Sequence, residues 1–597
     1  MILLRARGRS GPAASGGEWA FLGFEAAQLF RWQRRLGPGW SRVDLSGEIA
    51  QASAELAPLY ADWIERLDQR YGSDPDWWMT QVSEKNPLAS PLFYQLCALK
   101  TLRLRARENR LPALLVCDGA GLAQAAAATL REAGRALDAP PAPRPLGRAL
   151  DAAKLLVRSA QFAARAALAL AQRPAKPAAF RRGKRSALLA TYVHENSISP
   201  DGRFNDRYMP GLRERLEQEG YRTFVLAKPL DGSRQAALVR RMRRNDVAFL
   251  LAEDYLEASD YAAALLGAWR SLALPAEAPP LDGLDAGPLL ASERWRQARS
   301  LEGLQARLTR RIPGRLAAAG FSPTLTISWF EGQKDDKALA LGLREAFPEA
   351  DHAGFLSMLP GPTYLTAIPT PAQARAGALP RRLVCCGRHQ ACLASRSGAI
   401  PVSIGAALRY AYLWRQEKPV AAPEPVALVV LPSRLWEAAE MIDALAPVTS
   451  MDTGVRRWRV KPHPDYPAEG LRRRLGHWPR AMELFSGTLS QALSDCAVVL
   501  SAGSGAAIEA ACLGIPIGLV GRQAGLDYNP LEWFGDLAPV LRSPEEIAQR
   551  LRRSLALGEP EREALRQRGL ELRRDCFEPV SPDSMRAFWS SHPAATA

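Results

Sequence analysis

The stretch VVLSAGSGAAIEAACLGIPIGLVG, residues 498–521, decides the fold of this chain. Its apolar residues up to Leu500 predict a buried strand, and the small residues from Ser501 to Gly505 predict a tight turn. AAIEAACLG then has the composition of a helix, and IPIGLVG begins another strand. A strand, a turn, a helix and a strand in this order form one unit of a parallel α/β sheet, whose ligands bind beyond the carboxyl ends of its strands.

The turn itself has the chemistry of a phosphate site. Gly503 and Gly505 carry no side chain, so a phosphate group can approach the backbone N–H groups there. Ser501 and Ser504 add hydroxyl donors at the positive end of the helix dipole. A tight turn that needs small residues for packing alone would have the same composition, so both interpretations stay open.

The helix after the turn contains a carboxylate. Glu509 lies one turn inside a helix that is otherwise apolar. A buried carboxylate needs a hydrogen-bonding partner, which favours a role in binding. The alternative is a glutamate that the helix dipole favours near the positive end.

A second candidate turn, RVKPHPDYP, follows an earlier apolar strand at residues 459–467. Pro462 and Pro464 restrict the backbone, so His463 has little conformational freedom to lose on binding. The Lys461 ammonium and the imidazole can both donate hydrogen bonds to a phosphate or a carboxylate. A lone histidine is more often structural, but the place of this one beside a second phosphate-suited turn favours a ligand role.

The rest of the chain divides into two series of short β-rich runs separated by helical stretches. Each series predicts βα units around a parallel sheet, and two such sheets imply a cleft between them. Pro-rich runs at 139–145 and 417–426 read as linkers, and the segment 272–288 interrupts the first series as a loop or small insertion. The predicted units are an N-terminal accessory α/β block (1–140), a basic amphipathic helix with its linker (149–185), a first α/β domain (186–416), a second α/β domain (424–545) and C-terminal helices (546–597).

Two segments of the first series carry candidate catalytic acids. Glu331 follows the strand TLTISWF and is expected to point into the cleft, where a carboxylate can remove a proton from an acceptor hydroxyl. Asp335 and Asp336 are better explained as caps of a helix that begins near Lys337. The polar loop 191–216 contains the other candidates, His194, Glu195, Asp201 and Asp206. The sequence alone does not choose one base among these acids.

Charge suggests an anionic partner. The formal net charge is +16 and the pI is near 9.7, which indicates either such a partner or an Arg-rich composition without functional meaning. Nucleic acid is the weakest choice, since no nucleic-acid-binding module is recognisable. Lys154, Arg158 and Arg165 fall within about 40° of one another on a predicted helix. With the basic run at 181–185, this stripe either contacts an anionic membrane surface or faces solvent while the helix packs on its own domain.

The eight cysteines are scattered through apolar runs, which is typical of reduced cysteines in the core of a cytosolic protein. The cluster CCGRHQAC fits no standard zinc spacing. The run of about 18 apolar residues that a membrane-spanning helix needs is absent, and the apolar segment at the N-terminus is too short for a signal peptide. We therefore expect neither export nor a membrane span.

The KPHP turn and the SxGS turn before the Glu509 helix together resemble the donor half of GT-B-type glycosyltransferases. More narrowly, the chain is similar to bacterial surface-carbohydrate (capsule and O-antigen type) biosynthesis proteins, in the broad group of Kdo, sialyl and polyol-phosphate transferases. The likeness spans most of residues 76–545. Four further blocks carry it: DWWMTQVSEKNPLASPLFYQL (76–96), GRFNDRYMPGLRERLEQEGYRT (202–223), FEGQKDDKALALGLREAFP (330–348) and IGAALRYAYL (404–413).

This resemblance implies two Rossmann-like domains that face a cleft, and direct displacement with no cofactor and no required metal. It implies that an acid of the first domain, Glu331 or Asp206, removes the acceptor proton. Residues 1–140 have no counterpart in a two-domain transferase, so they are candidates for binding the acceptor, a membrane or a partner. The donor-binding residues that the resemblance implies are Lys461 and His463 for the phosphate or an acidic sugar, Ser501, Gly503, Ser504 and Gly505 for phosphate, and Glu509 for the ribose.

We therefore expect a cytoplasmic glycosyltransferase, peripheral at the inner face of the cytoplasmic membrane, that acts in surface polysaccharide synthesis. Its partners would be a nucleotide-sugar donor, a glycan or lipid-linked acceptor and the anionic membrane, with no nucleic acid. Two alternatives stay open. One is a nucleotide-sugar epimerase of the same fold, and the other is a catalytically silent protein that keeps the nucleotide pocket.

Overall fold

The structure is a computed structural model, and three of the predicted connecting segments lie mostly outside what it describes: the linker 139–145, the basic run 181–185 and the break 417–426. The described residues are 2–5, 16–138, 145–174, 180, 185–230, 235–275, 277–415, 424–464, 466, 468–475 and 478–590.

The N-terminal part of the chain forms a five-stranded parallel sheet in the order β3-β2-β4-β1-β5. The central strand β4 is apolar along its whole length, as expected of a strand that is covered on both faces. The strands are β1 (Ile2–Arg5), β2 (Gly17–Leu22), β3 (Trp40–Arg42), β4 (Leu114–Cys117) and β5 (Leu137–Asp138). The helices are α1 (Ala26–Leu36), α2 (Ser46–Tyr71), α3 (Gln81–Glu84), α4 (Leu92–Arg107) and α5 (Ala120–Glu132).

This first block shares its core with the next part of the chain. The insertion 272–288 brings Leu281 and Leu284 into the apolar core of the block, where both are buried. The indole of Trp63 donates a hydrogen bond to the backbone oxygen of Pro279 over 2.7 Å. The insertion therefore helps to fasten the accessory block to the first α/β domain, together with ion pairs such as that of Asp76 with Arg307 (2.8 Å).

The helix α6 (Pro145–Ala171) leads to a seven-stranded parallel sheet in the order β12-β11-β10-β9-β6-β7-β8. Numbered from β6 as strand 1, the order is 3-2-1-4-5-6-7, the Rossmann order with one strand added. The strands are β6 (Ser186–Val193), β7 (Arg222–Pro229), β8 (Phe249–Leu251), β9 (Leu325–Trp329), β10 (Asp351–Leu356), β11 (Arg382–Cys385) and β12 (Val402–Ile404). The helices are α7 (Leu212–Gln218), α8 (Gln235–Arg243), α9 (Ala252–Tyr255), α10 (Ala258–Arg270), α11 (Gly287–Ser300), α12 (Leu304–Ala318), α13 (Lys334–Ala346), α14 (Pro371–Ala376) and α15 (Arg388–Ser395).

The third sheet is parallel and six-stranded, in the order β15-β14-β13-β16-β17-β18, which is 3-2-1-4-5-6 when β13 is strand 1. The prediction of two Rossmann-like domains plus an extra N-terminal block is thus confirmed. The strands are β13 (Val426–Val430), β14 (Arg457–Lys461), β15 (Met482–Leu484), β16 (Val498–Ser501), β17 (Ile517–Val520) and β18 (Val540–Leu541). The helices are α16 (Leu435–Leu445), α17 (Ala468–Leu475), α18 (Leu489–Ser494), α19 (Gly505–Cys512) and α20 (Pro544–Leu555).

The last two helices, α21 (Glu559–Cys576) and α22 (Pro582–Arg586), return the chain to the seven-stranded sheet. The backbone N–H of Glu578 donates to the oxygen of Cys386 over 2.6 Å. The guanidinium of Arg382, on β11, donates to the backbone oxygens of Ala587 (2.6 Å) and Phe588 (2.8 Å). The C-terminal helices therefore bridge the two Rossmann-like domains.

Across the described part of the chain, no helix has both the length and the apolarity that crossing a bilayer requires. Seven of the eight cysteines are buried, in agreement with their expected place in the core, and Cys392 is exposed.

Candidate functional site

The two candidate turns of the C-terminal domain follow the two strands that flank β13, β14 and β16, and both strands end in the same register. Lys461 at the end of β14 and Ser501 at the end of β16 both pair with Val430 of β13, from its two sides. Since neighbouring strands lie about 4.8 Å apart, the two strand ends are about 10 Å from each other. The prediction that RVKPHPDYP ends a strand at the same sheet edge as the serine-glycine turn is confirmed.

Hydrogen bonds within the serine-glycine turn hold it in shape. Ser501 is fully buried, and its hydroxyl accepts a hydrogen bond from the backbone N–H of Ser504 over 3.2 Å. The two hydroxyl oxygens lie 3.1 Å apart. Ser504 is the N-cap of α19, whose first residue is Gly505. The Ser501 hydroxyl therefore shapes the turn, and Gly505 at the start of α19 is exposed.

Each of the two glycines of this turn is required for a different physical reason. Gly503 has φ +81°, and a Cβ atom on it would lie 1.6 Å from the backbone oxygen of Tyr528. A Cβ atom on Gly505 would meet nothing within 4 Å. Packing alone thus explains the first glycine, whereas the space beside the second is open to a ligand.

The KPHP turn is tied down beside this open space. The hydroxyl of Tyr466 donates to the backbone oxygen of Pro432, just past β13, over 2.8 Å. The ring of His463 lies 6.4 Å from that of Tyr466 and keeps partial solvent access. Lys461 is half-buried, and its pKa is lowered by burial and by the positive charge of Arg207.

Arg207 belongs to the other Rossmann-like domain, in the loop after β6. Its Nη1 atom is buried and has no hydrogen-bond partner within the described structure. Its charge acts on Lys461 of the C-terminal domain, and two like charges that repel each other across a domain boundary favour an anion near both. Sequence reasoning missed this arginine, because the acids and the histidine of the loop are its more evident candidates.

Arg409 is a second cation that sequence reasoning missed, within the quoted block 404–413. It follows β12 and keeps solvent access although protein atoms surround it, as expected at the floor of an open cleft. Its positive charge acts on two acids, the partly buried Glu331 of its own domain and the buried Glu509 of the other. Burial raises the pKa of both carboxyl groups, and the guanidinium opposes that shift.

The partner that Glu509 needs comes from across the domain boundary. The hydroxyl of Tyr412 donates a short hydrogen bond to its Oε2 atom. Glu509 is 5% exposed, so this contact satisfies a buried carboxylate and couples the two domains. A ribose contact of Glu509 stays a prediction.

Glu331 lies two residues past β9 and is held from both sides. The indole of Trp329 donates to its Oε1 over 2.9 Å, and the Gln333 amide donates to its Oε2 over 2.6 Å. Burial raises its pKa. Each oxygen keeps a further lone pair, so the carboxylate can still accept a proton from a hydroxyl group.

The two aspartates after Glu331 have separate roles. Asp336 accepts hydrogen bonds from the backbone N–H groups of Glu331 (2.9 Å) and Gln333 (3.0 Å), and burial raises its pKa to about 7. It caps α13, as predicted. Asp335 forms an ion pair with Lys228 instead, so its prediction as a cap is wrong, and the helix begins at Lys334, three residues earlier than predicted.

Asp206 is buried inside the loop that carries Arg207. Its Oδ1 atom accepts hydrogen bonds from the Thr191 hydroxyl (3.1 Å) and from the backbone N–H groups of Tyr208 (2.8 Å) and Met209 (3.1 Å). Burial raises its pKa to about 6. These contacts explain Asp206 as the residue that shapes the loop and presents Arg207 to the cleft.

The other polar candidates of the loop lie apart from this cation pair. The side chain of His194 hydrogen-bonds the Tyr208 hydroxyl over 3.1 Å. Asp201 is exposed and pairs with Arg203 over 2.8 Å. The backbone of Glu195 forms a 3₁₀ turn. Neither these residues nor any others that the structure describes assemble a group of three or more His, Cys, Asp and Glu able to hold a metal, and metal independence stays a prediction.

A cavity of about 320 Å³ lies beyond the carboxyl ends of β6, β7 and β9. Trp329, which donates to Glu331, lines it. Two buried carboxylate oxygens in its wall, Oε2 of Glu253 and Oδ1 of Asp335, have no hydrogen-bond partner in the described structure. Unpaired acceptors of this kind suit a ligand with several hydroxyl groups.

Comparisons with known proteins leave the family open. No protein-family model matches the sequence, and no curated protein matches it. Solved structures that are similar include a putative UDP-N-acetylglucosamine 2-epimerase from Listeria monocytogenes (10% identity, 68% of this chain, 94% of that chain, TM-score 0.38). A second is a UDP-GlcNAc 2-epimerase from Methanocaldococcus jannaschii (9% identity, 68% of this chain, 98% of that chain, TM-score 0.37). A third is a UDP-forming α,α-trehalose-phosphate synthase from Burkholderia vietnamiensis (14% identity, 68% of this chain, 98% of that chain, TM-score 0.36). At these TM-scores the likeness carries no argument, and the assignment of two Rossmann-like domains rests on their strand orders.

Proposed function

We propose that this protein is a glycosyltransferase, which transfers a sugar from a nucleotide-activated donor to a hydroxyl group of a glycan or lipid-linked acceptor. The observation that carries the proposal is the register that places Lys461 and Ser501 on either side of Val430, at the sheet edge where α19 begins with the open Gly505. The charge of Arg207, from the other domain, also acts on Lys461. Two cations and a helix N-terminus around an open space favour a diphosphate.

The acceptor side of the proposal rests on Glu331 and the neighbouring cavity. A monosaccharide unit fits a cavity of about 320 Å³, and its hydroxyl groups can donate to Glu253 and Asp335. Trp329 lines the cavity and also donates to Glu331, so one side chain links the proposed acceptor site to a carboxylate that can remove a proton.

The proposed reaction is a direct displacement. Glu331 takes the proton of the acceptor hydroxyl, whose oxygen forms a bond to the anomeric carbon of the donor sugar. The bond from that carbon to the phosphate oxygen breaks, and the nucleotide leaves with the electron pair. Arg207 and Lys461 offset the negative charge that develops on the leaving phosphate. A place in bacterial surface polysaccharide synthesis, and action at the inner face of the membrane, are the parts of the proposal that rest on sequence resemblance.

The test uses the full chain and a panel of nucleotide sugars, with nucleotide release measured with and without a lipid-linked oligosaccharide. Release that depends on the acceptor supports a transferase. An epimerised sugar without any acceptor would favour the epimerase alternative. If calorimetry showed no binding of the nucleoside diphosphates UDP, CDP and GDP, that result would contradict the transferase, the epimerase and the silent nucleotide-binding protein alike.

Variants separate the donor site from the base. Glu331→Gln should keep nucleotide affinity and lose turnover by about 100-fold or more. Arg207→Met and Lys461→Met should each weaken nucleotide binding by about 10-fold or more, because each removes a charge-assisted contact. Arg203→Met is the matched control, since Arg203 pairs with exposed Asp201 outside the cation pair and should leave binding unchanged.

A further inference from the structure

The exposed apolar side chains of this protein are concentrated on one surface. Nine large apolar residues are exposed among the described residues, and five of them lie on just two adjacent helices, α6 and α10. The ring of Phe162 on α6 lies 6.0 Å from that of Tyr261 on α10, so the two helices are in contact. These five residues define a patch, named here the α6–α10 face: Leu156, Val157, Leu168, Leu266 and Trp269.

Helix α6 has two apolar faces, of which only one is covered. Leu155 and Ala166 are buried in the core of the adjoining domain. This confirms that the helix packs on its own domain. At about 100° per residue, the opposite side is apolar over roughly 140°. The residues of that side are all exposed, namely Ala153, Leu156, Val157, Ala160, Ala163, Ala164, Ala167 and Leu168.

Positive charge borders this apolar side. Lys154, Arg158 and Arg165 are exposed along one flank of α6, and residues 152–174 contain neither Asp nor Glu. Two copies of the chain that met through this face would bring their cations together, which opposes a symmetric dimer. An anionic bilayer surface instead offers opposite charge to the flank and an apolar layer to the centre.

The aromatic anchor that the sequence of α6 lacks is supplied by its neighbour. Trp269 of α10 is 38% exposed, and its indole N–H donates to the hydroxyl of Ser159 on α6 over 3.3 Å. Amphipathic aromatic side chains favour the boundary between water and lipid.

We infer that the α6–α10 face binds the surface of an anionic lipid bilayer, with its apolar side chains among the lipid head groups and its cations on the lipid phosphates. The inference does not depend on the proposed transferase activity, since none of these residues contacts Glu331, Lys461 or the turn before α19 in the described structure. An inactive protein with this face would still bind vesicles.

The experiment is co-sedimentation of the full chain with phosphatidylcholine vesicles that contain or lack phosphatidylglycerol. We expect binding to the anionic vesicles that weakens with added salt. The double variant Leu156→Glu, Val157→Glu should lose it. Replacing Lys154, Arg158 and Arg165 by Gln should lower the partition constant about 100-fold, since each cation near an anionic surface contributes roughly fivefold.

Leu104→Glu on α4 is the matched control, because Leu104 is also an exposed leucine, at 43%, but lies outside the face. It should bind vesicles as the unchanged protein does, and thermal melting should show that all variants fold. Failure of the unchanged protein to sediment with anionic vesicles at low salt would overturn the inference. So would a dimer in analytical ultracentrifugation that the Leu156→Glu, Val157→Glu variant abolishes, because that outcome assigns the face to a second copy.

Discussion

The two glycines of the turn before α19 should respond in opposite ways to the same substitution. In Gly503→Ala the new Cβ atom would lie 1.6 Å from the Tyr528 oxygen, at a φ of +81°. The left-handed backbone costs a residue with a side chain about 1 kcal/mol or more, and overpacking costs about 1–3 kcal/mol. The free energy of unfolding of the C-terminal domain should therefore fall by at least about 2 kcal/mol.

Gly505→Ala should leave stability unchanged or slightly higher, since its Cβ atom meets nothing within 4 Å and alanine is the better helix former. The same methyl group would occupy the space into which we place the donor phosphate. Loss of one charge-assisted hydrogen bond costs about 1.5–3 kcal/mol, which weakens nucleotide binding by about 10- to 150-fold.

Scanning calorimetry and isothermal titration with UDP, CDP and GDP measure the two effects separately. For a domain of this size, about 2 kcal/mol corresponds to a melting temperature lower by at least about 4 °C in Gly503→Ala. An unchanged melting temperature in that variant would refute the packing argument. Full nucleotide affinity in Gly505→Ala would refute the phosphate placement, whatever its stability.

Three further predictions concern buried groups. Tyr412→Phe removes the hydroxyl donor of buried Glu509 and should lower the free energy of unfolding by about 1–3 kcal/mol, as measured by denaturant titration; no change would mean that Glu509 is satisfied elsewhere. The carboxylate of Glu84 is 2% exposed and forms an ion pair with Lys334 over 3.0 Å. Glu84→Gln breaks this pair and should lower the free energy of unfolding by about 3–5 kcal/mol in the same assay. A decrease below about 1 kcal/mol would contradict a buried ion pair. Glu331 acts as a base only when ionised, and burial raises its pKa above the ordinary 4.5. Nucleotide release should therefore fall with decreasing pH, with a midpoint above pH 4.5. A midpoint at or below pH 4.5 would contradict the assignment of Glu331 as the base.

Many strands of both Rossmann-like domains were predictable because they are short apolar runs that end at Gly, Pro or polar residues. The runs from Ser186 to Val193 and from Val498 to Ser501 are examples. The pairing of strands was less accessible, since β6 lies between β7 and β9, and six α-helices and two strands separate β6 from β9 along the chain. The shared core of the N-terminal block was not predictable either, because it depends on Leu281 and Leu284 from a distant insertion.

The site was predictable where a single turn contains its chemistry, and not where two domains contribute. Lys461 and Ser501 belong to local motifs that the sequence displays. Arg207 and Arg409 acquire their meaning only from charges that the other domain supplies. The contact of Tyr412 with Glu509 joins residues 97 positions apart, a distance over which a single sequence carries no pairing signal.

The return of the C-terminal helices to the first Rossmann-like domain restricts how the cleft can open. The polypeptide crosses between the two domains twice, once before β13 and once after α21, where Glu578 joins the first domain. A single crossing would let one domain swivel freely about the other, whereas two crossings define an axis and leave a bending motion about it. Substrate entry and product exit must therefore occur by a hinge motion about these two connections between the domains. A chain that ended after α20 would lose one of the connections.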